Sequence, residues 1–266
     1  MSEAITIVDA HAHLHACFAP EDALDAAWDN FAAVAADRNF TGVLMLAEPV
    51  TGEPFAALRT ESWTRWTLES GSEPVARCAR RVGDNAKLWL ASGFQVVTLE
   101  GLEVLCLGCE RRPEDRLPIA EIARQARESG ALAVVPWGAG KWLGRRGAVL
   151  SHFLESVDDP GVFLGDNGGR PDVWRPRHFA KAAPRGIRVL PGSDPLPFAS
   201  EVNRLGGHGF IFPRALPEDR IVAELIARLL DPGTHLEAFG STETLLRFVG
   251  NQIAMQWQMR ARRGSN

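Results

Sequence analysis

The chain has no tyrosine and only four cysteines among its 266 residues. Four cysteines in a chain of this length do not make a disulfide framework, and Cys106-Leu-Gly-Cys109 has no second pair that would complete a tetrahedral zinc site. The Cys-x-x-Cys segment lies at the exit of a predicted strand, so it lacks the helix N-terminus that would lower a thiol pKa. All four cysteines are therefore predicted to be reduced thiols, and for the Cys-x-x-Cys pair a structural role is favoured over a redox-active one.

Charge and hydropathy argue against a nucleic-acid-binding protein and against a membrane protein. The 29 basic and 33 acidic residues give a net charge of -4, so the chain lacks the positive field that binds nucleic acid. No apolar stretch is long enough to span a bilayer, and the first residues lack the basic and apolar regions of a signal peptide. We expect a cytoplasmic protein with neither nucleic acid nor membrane as a partner; the sequence indicates no oligomeric state.

Short runs rich in Val, Ile and Leu alternate with helix-length segments along the chain. These runs lack the alternation of half-exposed strands, a pattern that predicts parallel strands buried on both faces and joined by helical crossovers. The predicted strands lie near 5–9, 42–47, 93–98, 132–136, 162–165, 187–191 and 208–212, with a hairpin partner at 102–107. Seven strand-helix units result, and because no linker divides them we predict one α/β domain over residues 1–266.

Two segments stand apart from these units. Residues 49–87 form a long polar stretch in which no strand is predicted, and insertions of this length in α/β barrels usually extend a loop at the functional rim. A last helix is predicted at about 243–262, capped by Ser241 and ending in several arginines that suit the negative end of its dipole. The first segment is therefore a candidate lid.

The most informative motif is Asp9-Ala10-His11-Ala12-His13, which follows the apolar run at 5–8. Residues i and i+2 of a strand point to the same side, so His11 and His13 can converge on one ion. Neutral imidazole is the commonest ligand for zinc, iron or manganese. The alternative is a strand end whose two histidines bind nothing, and the downstream motifs must decide.

With seven predicted strands and this motif, the chain resembles the PHP (polymerase and histidinol phosphatase) superfamily. The family opens with Asp-x-His-x-His, matched by Asp9, His11 and His13, and closes with Gly-Ser-Asp-x-His, matched in part by Gly192-Ser193-Asp194. Residues 93–108 and 131–138 are similar to its middle motifs. The resemblance implies a distorted (β/α)7 barrel of the TIM type, mostly parallel with one extra hairpin strand, and a multinuclear metal site at its C-terminal rim.

The departures from the family pattern reduce the implied metal site. Gln95 replaces a bridging glutamate, Leu105, Trp137 and Leu196 each replace a histidine, and Ala47-Glu48 replaces an Asp-His pair. His11, His13 and Asp194 remain, with Glu48 as a possible carboxylate ligand. The resemblance therefore implies one divalent transition metal (zinc, manganese or iron) in place of a cluster.

Two loops at the predicted strand ends supply candidate substrate contacts. Lys141, in a glycine-rich turn after the fourth strand, and Arg170, after the fifth, could hold phosphate or carboxylate. Trp137 could stack on a planar substrate and Asn167 could bind it. The alternative is that these are solvated rim charges, packed tryptophans and a turn residue, which the sequence leaves open.

The leading hypothesis is a metal-dependent hydrolase of a small anionic ester, a phosphoester above all. Glu48 or Asp166 would act as the general base, with His15 as a spare candidate. One rival is a non-catalytic PHP-like protein that binds a small ligand or a partner protein at the former active-site mouth. Others are an amidohydrolase-type C–N hydrolase and a metal-independent enzyme that uses Lys141.

Overall fold

The computed structural model describes residues 4–49, 55, 58, 60 and 62–264, the side chains of 258–264 excepted. Its strands are β1 (Ile5–Ala12), β2 (Phe40–Leu46), β3 (Trp66–Ser70), β4 (Ala76–Arg81), β5 (Lys87–Ala91), β6 (Gly93–Val97), β7 (Glu103–Leu107), β8 (Leu132–Pro136), β9 (Val162–Asn167), β10 (Val189–Gly192), β11 (His208–Phe212) and β12 (Glu237–Gly240). The α-helices are α1 (Pro20–Ala35), α2 (Ile119–Glu128), α3 (Gly144–Ser156), α4 (Arg177–Ala182), α5 (Ile221–Leu230) and α6 (Leu245–Gly264).

The strands form two sheets. One has seven strands in the order β12-β11-β1-β2-β5-β4-β3, and the other has five in the order β10-β9-β8-β7-β6. The prediction of a mostly parallel (β/α)7 barrel is therefore wrong. Six of the ten strand pairings are antiparallel, among them β1 with β11. Within the described residues, neither sheet closes on itself.

The prediction was wrong because an apolar run indicates how deeply a strand is buried and not in which direction it runs. Val, Ile and Leu without alternation show that a strand is buried on both faces, which holds for β1 and β11 here. They carry no information on strand direction. Helices and the opposite sheet cover both faces of this sheet, so its antiparallel strands look as apolar as parallel ones.

The predicted strandless insertion at 49–87 is also different in the structure. β3 and β4 lie inside it and pair antiparallel with each other, and β4 pairs with β5, so the insertion extends the seven-stranded sheet. β3 forms the edge and exposes polar residues, and Arg81 at the end of β4 packs its guanidinium 5.7 Å from the Trp66 ring centre. Residues 50–54, 56, 57, 59 and 61 of the candidate lid lie outside the described residues.

Three apolar clusters give the domain its layers. The inner faces of both sheets share one cluster, closed at one side by α5. α1 covers the outer face of the seven-stranded sheet, and α2 and α3 cover the outer face of the other. Among the described residues, no helix is long and apolar enough to span a membrane.

α6 corresponds to the helix predicted at about 243–262. It contacts the domain through Phe248, which packs against the rings of Trp137 and Trp174 at centroid distances of 6.1 and 6.3 Å. Its other side exposes several large apolar side chains, including Leu246, Val249, Ile253 and Trp257.

Candidate metal centre

A bulge in β1 directs the two histidines of the first motif. The register of β1 against β2 shifts between Asp9 and Ala12. Before the shift, Ile7 packs on the α1 side of the sheet; after it, Ala12 packs on that same side. Because neighbouring residues of a strand point to opposite faces, the shift turns His11 and His13 toward the inner face.

Asp9 connects this bulge to the distant Gly-Ser-Asp segment. Its buried carboxylate accepts hydrogen bonds from the backbone N–H of His11 (3.0 Å), Ser193 (2.9 Å) and Gly206 (3.0 Å), and from the Ser193 hydroxyl (2.5 Å). Burial raises the pKa of Asp9, and these four donors oppose that shift. Asp9 is therefore a positioning residue that joins the two halves of the candidate site.

The end of β10 approaches β1 so closely that only glycine fits there. A Cβ at Gly192 would lie 2.4 Å from the backbone nitrogen of His11. Two residues later, Asp194 has a φ of 43°, in the left-handed region that non-glycine residues rarely adopt, and its N–H donates to the His11 carbonyl at 2.8 Å. This strained turn directs the Asp194 carboxylate at the two imidazoles.

His11, His13 and Asp194 form a compact triangle of possible ligand atoms. The two Nε2 atoms are 3.0 Å apart, and they lie 3.5 Å (His11) and 3.4 Å (His13) from Oδ1 of Asp194. Adjacent ligands of a tetrahedral zinc ion, bonded at its usual bond lengths, lie about 3.3 Å apart. The triangle therefore matches three corners of a tetrahedron. Among the described residues, these three side chains form the group of His, Cys, Asp or Glu whose ligand atoms are close enough together to hold a metal ion.

The charges of the triangle suit a cation. Burial lowers the pKa of His11 to about 4, Asp194 and Gln95 oppose this shift, and the positive charges of His13 and Lys141 add to it. Burial alone would raise the pKa of Asp194, but the histidines and Lys141 hold it below its usual range. At neutral pH His11 is thus neutral and Asp194 ionised, the forms that bind metal.

The atoms of the triangle that face away from its centre differ in their hydrogen bonding: Asp194 has a partner there, whereas the two histidines have none among the described residues. Asn167 donates from Nδ2 both to Oδ2 of Asp194 and to the carbonyl of Trp137, each at 2.7 Å, so it orients the carboxylate, and its role as a substrate ligand stays a prediction. The Nδ1 atoms of His11 and His13 are buried without a hydrogen-bond partner in the described part of the chain. His13 is held by ring packing, stacked on His15 at a centroid distance of 4.9 Å.

Lys141 lies near the triangle, since its charge lowers the pKa of both His11 and Asp194. Its ammonium group pairs with the carboxylate of Glu103, a residue that the sequence did not single out, and one third of its side chain is exposed. Lys141 is therefore a cation at the mouth of the site, balanced by one carboxylate.

Glu48 also lies beside the histidines, on the segment that follows β2. Burial raises its pKa and the charge of His13 opposes the shift, which places the carboxylate within electrostatic reach of His13. The triangle of mutually close ligand atoms does not include it among the described residues. Its role as a metal ligand stays a prediction, and its raised pKa suits a general base.

Asp166 and Arg170 bind each other. The guanidinium donates from Nε and Nη2 to the two carboxylate oxygens at 2.6 and 2.8 Å, and a further Nη1 bond reaches the Trp174 carbonyl. The predicted base and the predicted anion ligand thus satisfy each other. The Trp137 ring is engaged as well, because it packs on Trp174 and Phe248 and is 4% exposed.

The buried thiols of the Cys-x-x-Cys pair are unreactive. Burial raises the pKa of Cys109 to about 12 and raises that of Cys106 as well, and all four cysteines are free. The Cys109 thiol donates to the Cys106 carbonyl. The prediction of reduced thiols with a structural role agrees with this environment for the pair.

Comparisons with known proteins bear on the fold. No protein-family model matches the chain, and no curated protein sequence matches it. The crystal structure of PsfC from Pseudomonas syringae PB-5123 is similar, with a TM-score of 0.57 and 13% sequence identity over 96% of this chain and 99% of PsfC. At this identity the likeness concerns the fold alone, so PsfC and this chain share an architecture over almost their whole lengths.

Proposed function

We propose that this protein is a metal-dependent hydrolase in which His11, His13 and Asp194 hold one divalent transition metal. The observation that carries the proposal is the convergence of these three ligand atoms from chain segments about 180 residues apart, at spacings suited to tetrahedral coordination. The similarity of Asp9, His11 and His13 to the opening motif of the PHP superfamily supports the same proposal.

The proposed substrate is a small anionic ester, and among such esters a phosphoester is the first candidate. The bound metal would supply positive charge that polarises an oxygen of the scissile group. Lys141 at the mouth binds the anionic group, for which it exchanges its contact with Glu103. Glu48, whose pKa is raised by burial, accepts the proton of the attacking water.

Asp194 must stay ionised and aimed at the histidines for this chemistry. Asn167 holds its outer oxygen, and Asp9 holds the backbone that places it. Asp166 and Arg170 keep each other's charge satisfied near the end of β9, and they have no direct role in the proposal. The cytoplasmic location and the absence of nucleic-acid partners stay predictions.

The first test is metal content, measured by plasma mass spectrometry on protein purified without a histidine tag. Wild type should carry about one equivalent of zinc, manganese or iron, and the His11→Ala/His13→Ala double mutant should carry none. His152→Ala is the matched control, because His152 is exposed on α3, the helix that covers the outer face of the five-stranded sheet. Equal metal in all three proteins, or none in wild type after incubation with each ion, would refute the site.

The second test is a substrate screen on metal-loaded wild type. Hydrolysis of phosphomonoesters supports the proposal, and hydrolysis of amides alone favours the C–N hydrolase. A metal-loaded protein that cleaves neither class is better described as a binding protein that retains the site without the reaction. Lys141→Ala should raise the KM for phosphoesters at least tenfold, whereas Lys141→Arg should restore most of the affinity.

A further inference from the structure

The outward side of α6 carries a stripe of exposed apolar side chains. Leu246, Val249, Ile253 and Trp257 recur every three or four residues, so they lie on one face of the helix. Together with Leu245, they are five of the ten large apolar side chains that are exposed in the described part of the chain. Single exposed apolar residues are ordinary, but a concentration of this kind marks an interaction surface.

The other faces of α6 hold the helix so that the stripe points outward. Phe248 comes two residues after Leu246 and therefore lies on nearly the opposite face, where it packs on two tryptophan rings. Arg247 pairs with the carboxylates of Glu201 and Glu243, which are almost fully buried. Rotation of the helix to bury the stripe would break these contacts. The stripe can therefore be covered only by a second molecule.

Gly250 lies beside the stripe, in the interior of the helix. A glycine there destabilises a helix relative to alanine. Apart from its own helix backbone and chain neighbours, a Cβ at Gly250 would meet no described atom within 4 Å, and its φ lies outside the left-handed region. Packing within the chain does not require this glycine. The absence of a side chain does allow the backbone of a second helix to approach closely.

The stripe has a protruding end and a grooved end. Leu246, at its start, is 89% exposed, more than any other large apolar side chain of the described residues. A groove of about 340 Å³ lies toward the other end, lined among others by Gln252, Ile253, Gln256 and Trp257. In a two-fold pair, residue i of one copy contacts residue j of the other, and j contacts i. Antiparallel pairing of two α6 helices therefore places each Leu246 at the groove of the other copy.

The area of the surface suits a second copy of this chain. The five exposed side chains present on the order of 500 Å² of apolar surface, and a stable dimer buries about 800 Å² on each partner. The glutamines and arginines of α6 that flank the stripe supply a polar rim of the kind found around interface cores. The stripe with its rim is therefore large enough for a stable two-fold contact.

The charges favour the antiparallel orientation. α6 contains four arginines and no acidic residue, so the net charge of -4 divides into +4 on α6 and -8 on the rest of the chain. Three of these arginines are Arg260, Arg262 and Arg263, at the end of the helix. Parallel pairing would bring the two basic ends together, whereas antiparallel pairing separates them and directs each toward the acidic remainder of the other copy.

We propose that the stripe on α6 pairs with the same stripe of a second copy, antiparallel about a two-fold axis near residues 251 and 252. Gly250 then lies opposite Ile253 of the other copy, which uses the space that the missing side chain leaves. The inference does not depend on the proposed function, because no residue of the stripe belongs to the triangle.

Analytical ultracentrifugation of the full chain tests the pairing. Wild type should be a dimer at micromolar concentration, and Leu246→Glu/Ile253→Glu should be a monomer, because charged side chains would be buried at the contact. Leu99→Glu is the matched control at an exposed leucine between β6 and β7 and should stay dimeric. Gly250→Gln should weaken the dimer about tenfold, because the new side chain keeps the helices apart.

Circular dichroism melting of dilute samples shows that each variant folds, and Gly250→Gln should melt no lower than wild type there. A wild type that is monomeric at about 100 µM would overturn the proposal, and its sedimentation with phosphatidylglycerol vesicles would then identify a lipid surface as the occupant. Unchanged dimerisation of Leu246→Glu/Ile253→Glu, or of Gly250→Gln, would equally overturn it.

Cysteine crosslinking tests the orientation. In a Cys17→Ser background, which removes the exposed native thiol, protein carrying Leu246→Cys is mixed with protein carrying Trp257→Cys and oxidised. Antiparallel pairing predicts a disulfide-linked dimer in the mixture and none in either variant alone. Crosslinking of the Leu246→Cys protein with itself would show parallel pairing, and dimers that form no crosslink in the mixture would contradict the antiparallel contact.

Discussion

Among single residues, His11 gives the clearest pH dependence. Its pKa falls from 6.5 to about 4 on folding of the metal-free protein, mainly through burial. Between these values the unfolded chain binds more protons than the folded one, so stability is lost as the pH falls from 6.5 to 4 and is level below that range. We expect His11 to account for up to about 3 kcal/mol of this loss.

Urea unfolding of the metal-free protein at several pH values measures the effect. Because other groups titrate in the same range, His11→Gln serves as the reference that lacks the imidazole. The free energy of unfolding of wild type should fall more steeply with acid than that of the variant. Parallel curves for the two proteins would show that His11 is not the neutral, buried group described above.

The residues of the triangle differ in how far the sequence could predict them. The spacing of His11 and His13 was sufficient to pair them, whereas Asp194 was found only through its similarity to a family motif. The contact of Asn167 with Asp194 is not predictable from the sequence, because an amide can bind substrate or protein and its sequence context is the same in both cases. Asp166 and Arg170 pair across the turn after β9, and a four-residue spacing predicts such an ion pair only within a helix.

At the scale of secondary-structure elements, a buried charge network attaches α6 to the domain. Arg204 pairs with Glu243 just before α6 and, at 3.3 Å, with Glu201, and both carboxylates are almost fully buried. It also donates to the carbonyl of Gly168, which follows Asn167, at 2.7 Å. Arg247 of α6 pairs with both carboxylates from the exposed side.

Arg204→Ala should therefore destabilise the protein by about 3–5 kcal/mol, because it leaves two buried carboxylates without their inner partner. Thermal unfolding gives the stability, and limited proteolysis reports whether α6 is released first. Arg204→Lys is the control, since it keeps the charge and loses the fork of donors, and we expect it to lose less. A loss below 1 kcal/mol in Arg204→Ala would mean that Arg247 alone neutralises the network.

The strands show where sequence patterns are informative. Every predicted strand corresponds to an observed one, because each contains an apolar run of which most residues are buried; Val97 of β6 is an exposed exception. β3, β4, β5 and β12 were missed. β3 is an edge strand whose exposed residues are polar or charged, β12 is an edge strand of only four residues, and β4 carries three arginines, so none of these three has a continuous apolar run. β5 does have a buried apolar run, Leu88–Ala91, which the prediction did not include. The bulge in β1 was also unpredictable, since it depends on pairing with β2.

At the scale of the whole molecule, a metal held by the triangle would link the two sheets. His11 and His13 belong to β1 and the residue after it, in the seven-stranded sheet, whereas Asp194 follows β10 of the five-stranded sheet. A ligand that binds only the folded state stabilises it by about 2.7 kcal/mol when its free concentration is 100 times Kd. For a chain of this size that corresponds to a rise in Tm of about 5–10 °C.

Calorimetric scans with and without zinc or manganese test this expectation. The rise should be present in wild type and in His152→Ala and absent in His11→Ala/His13→Ala. Asn167→Ala should show a smaller rise, because it frees the Asp194 carboxylate to rotate. An equal rise in wild type and the double mutant would place the metal elsewhere.

The two histidines and the loop residue Lys141 differ in how strongly the fold holds them, because β1 lies inside its sheet. β1 is paired on both sides, with β2 and with β11, so its amides exchange with solvent only on large-scale opening. Lys141 lies in the loop after β8. In the proposed hydrolase, substitutions in this loop would change what is recognised while the two histidines keep their places, so specificity would diverge between descendants without loss of the metal site.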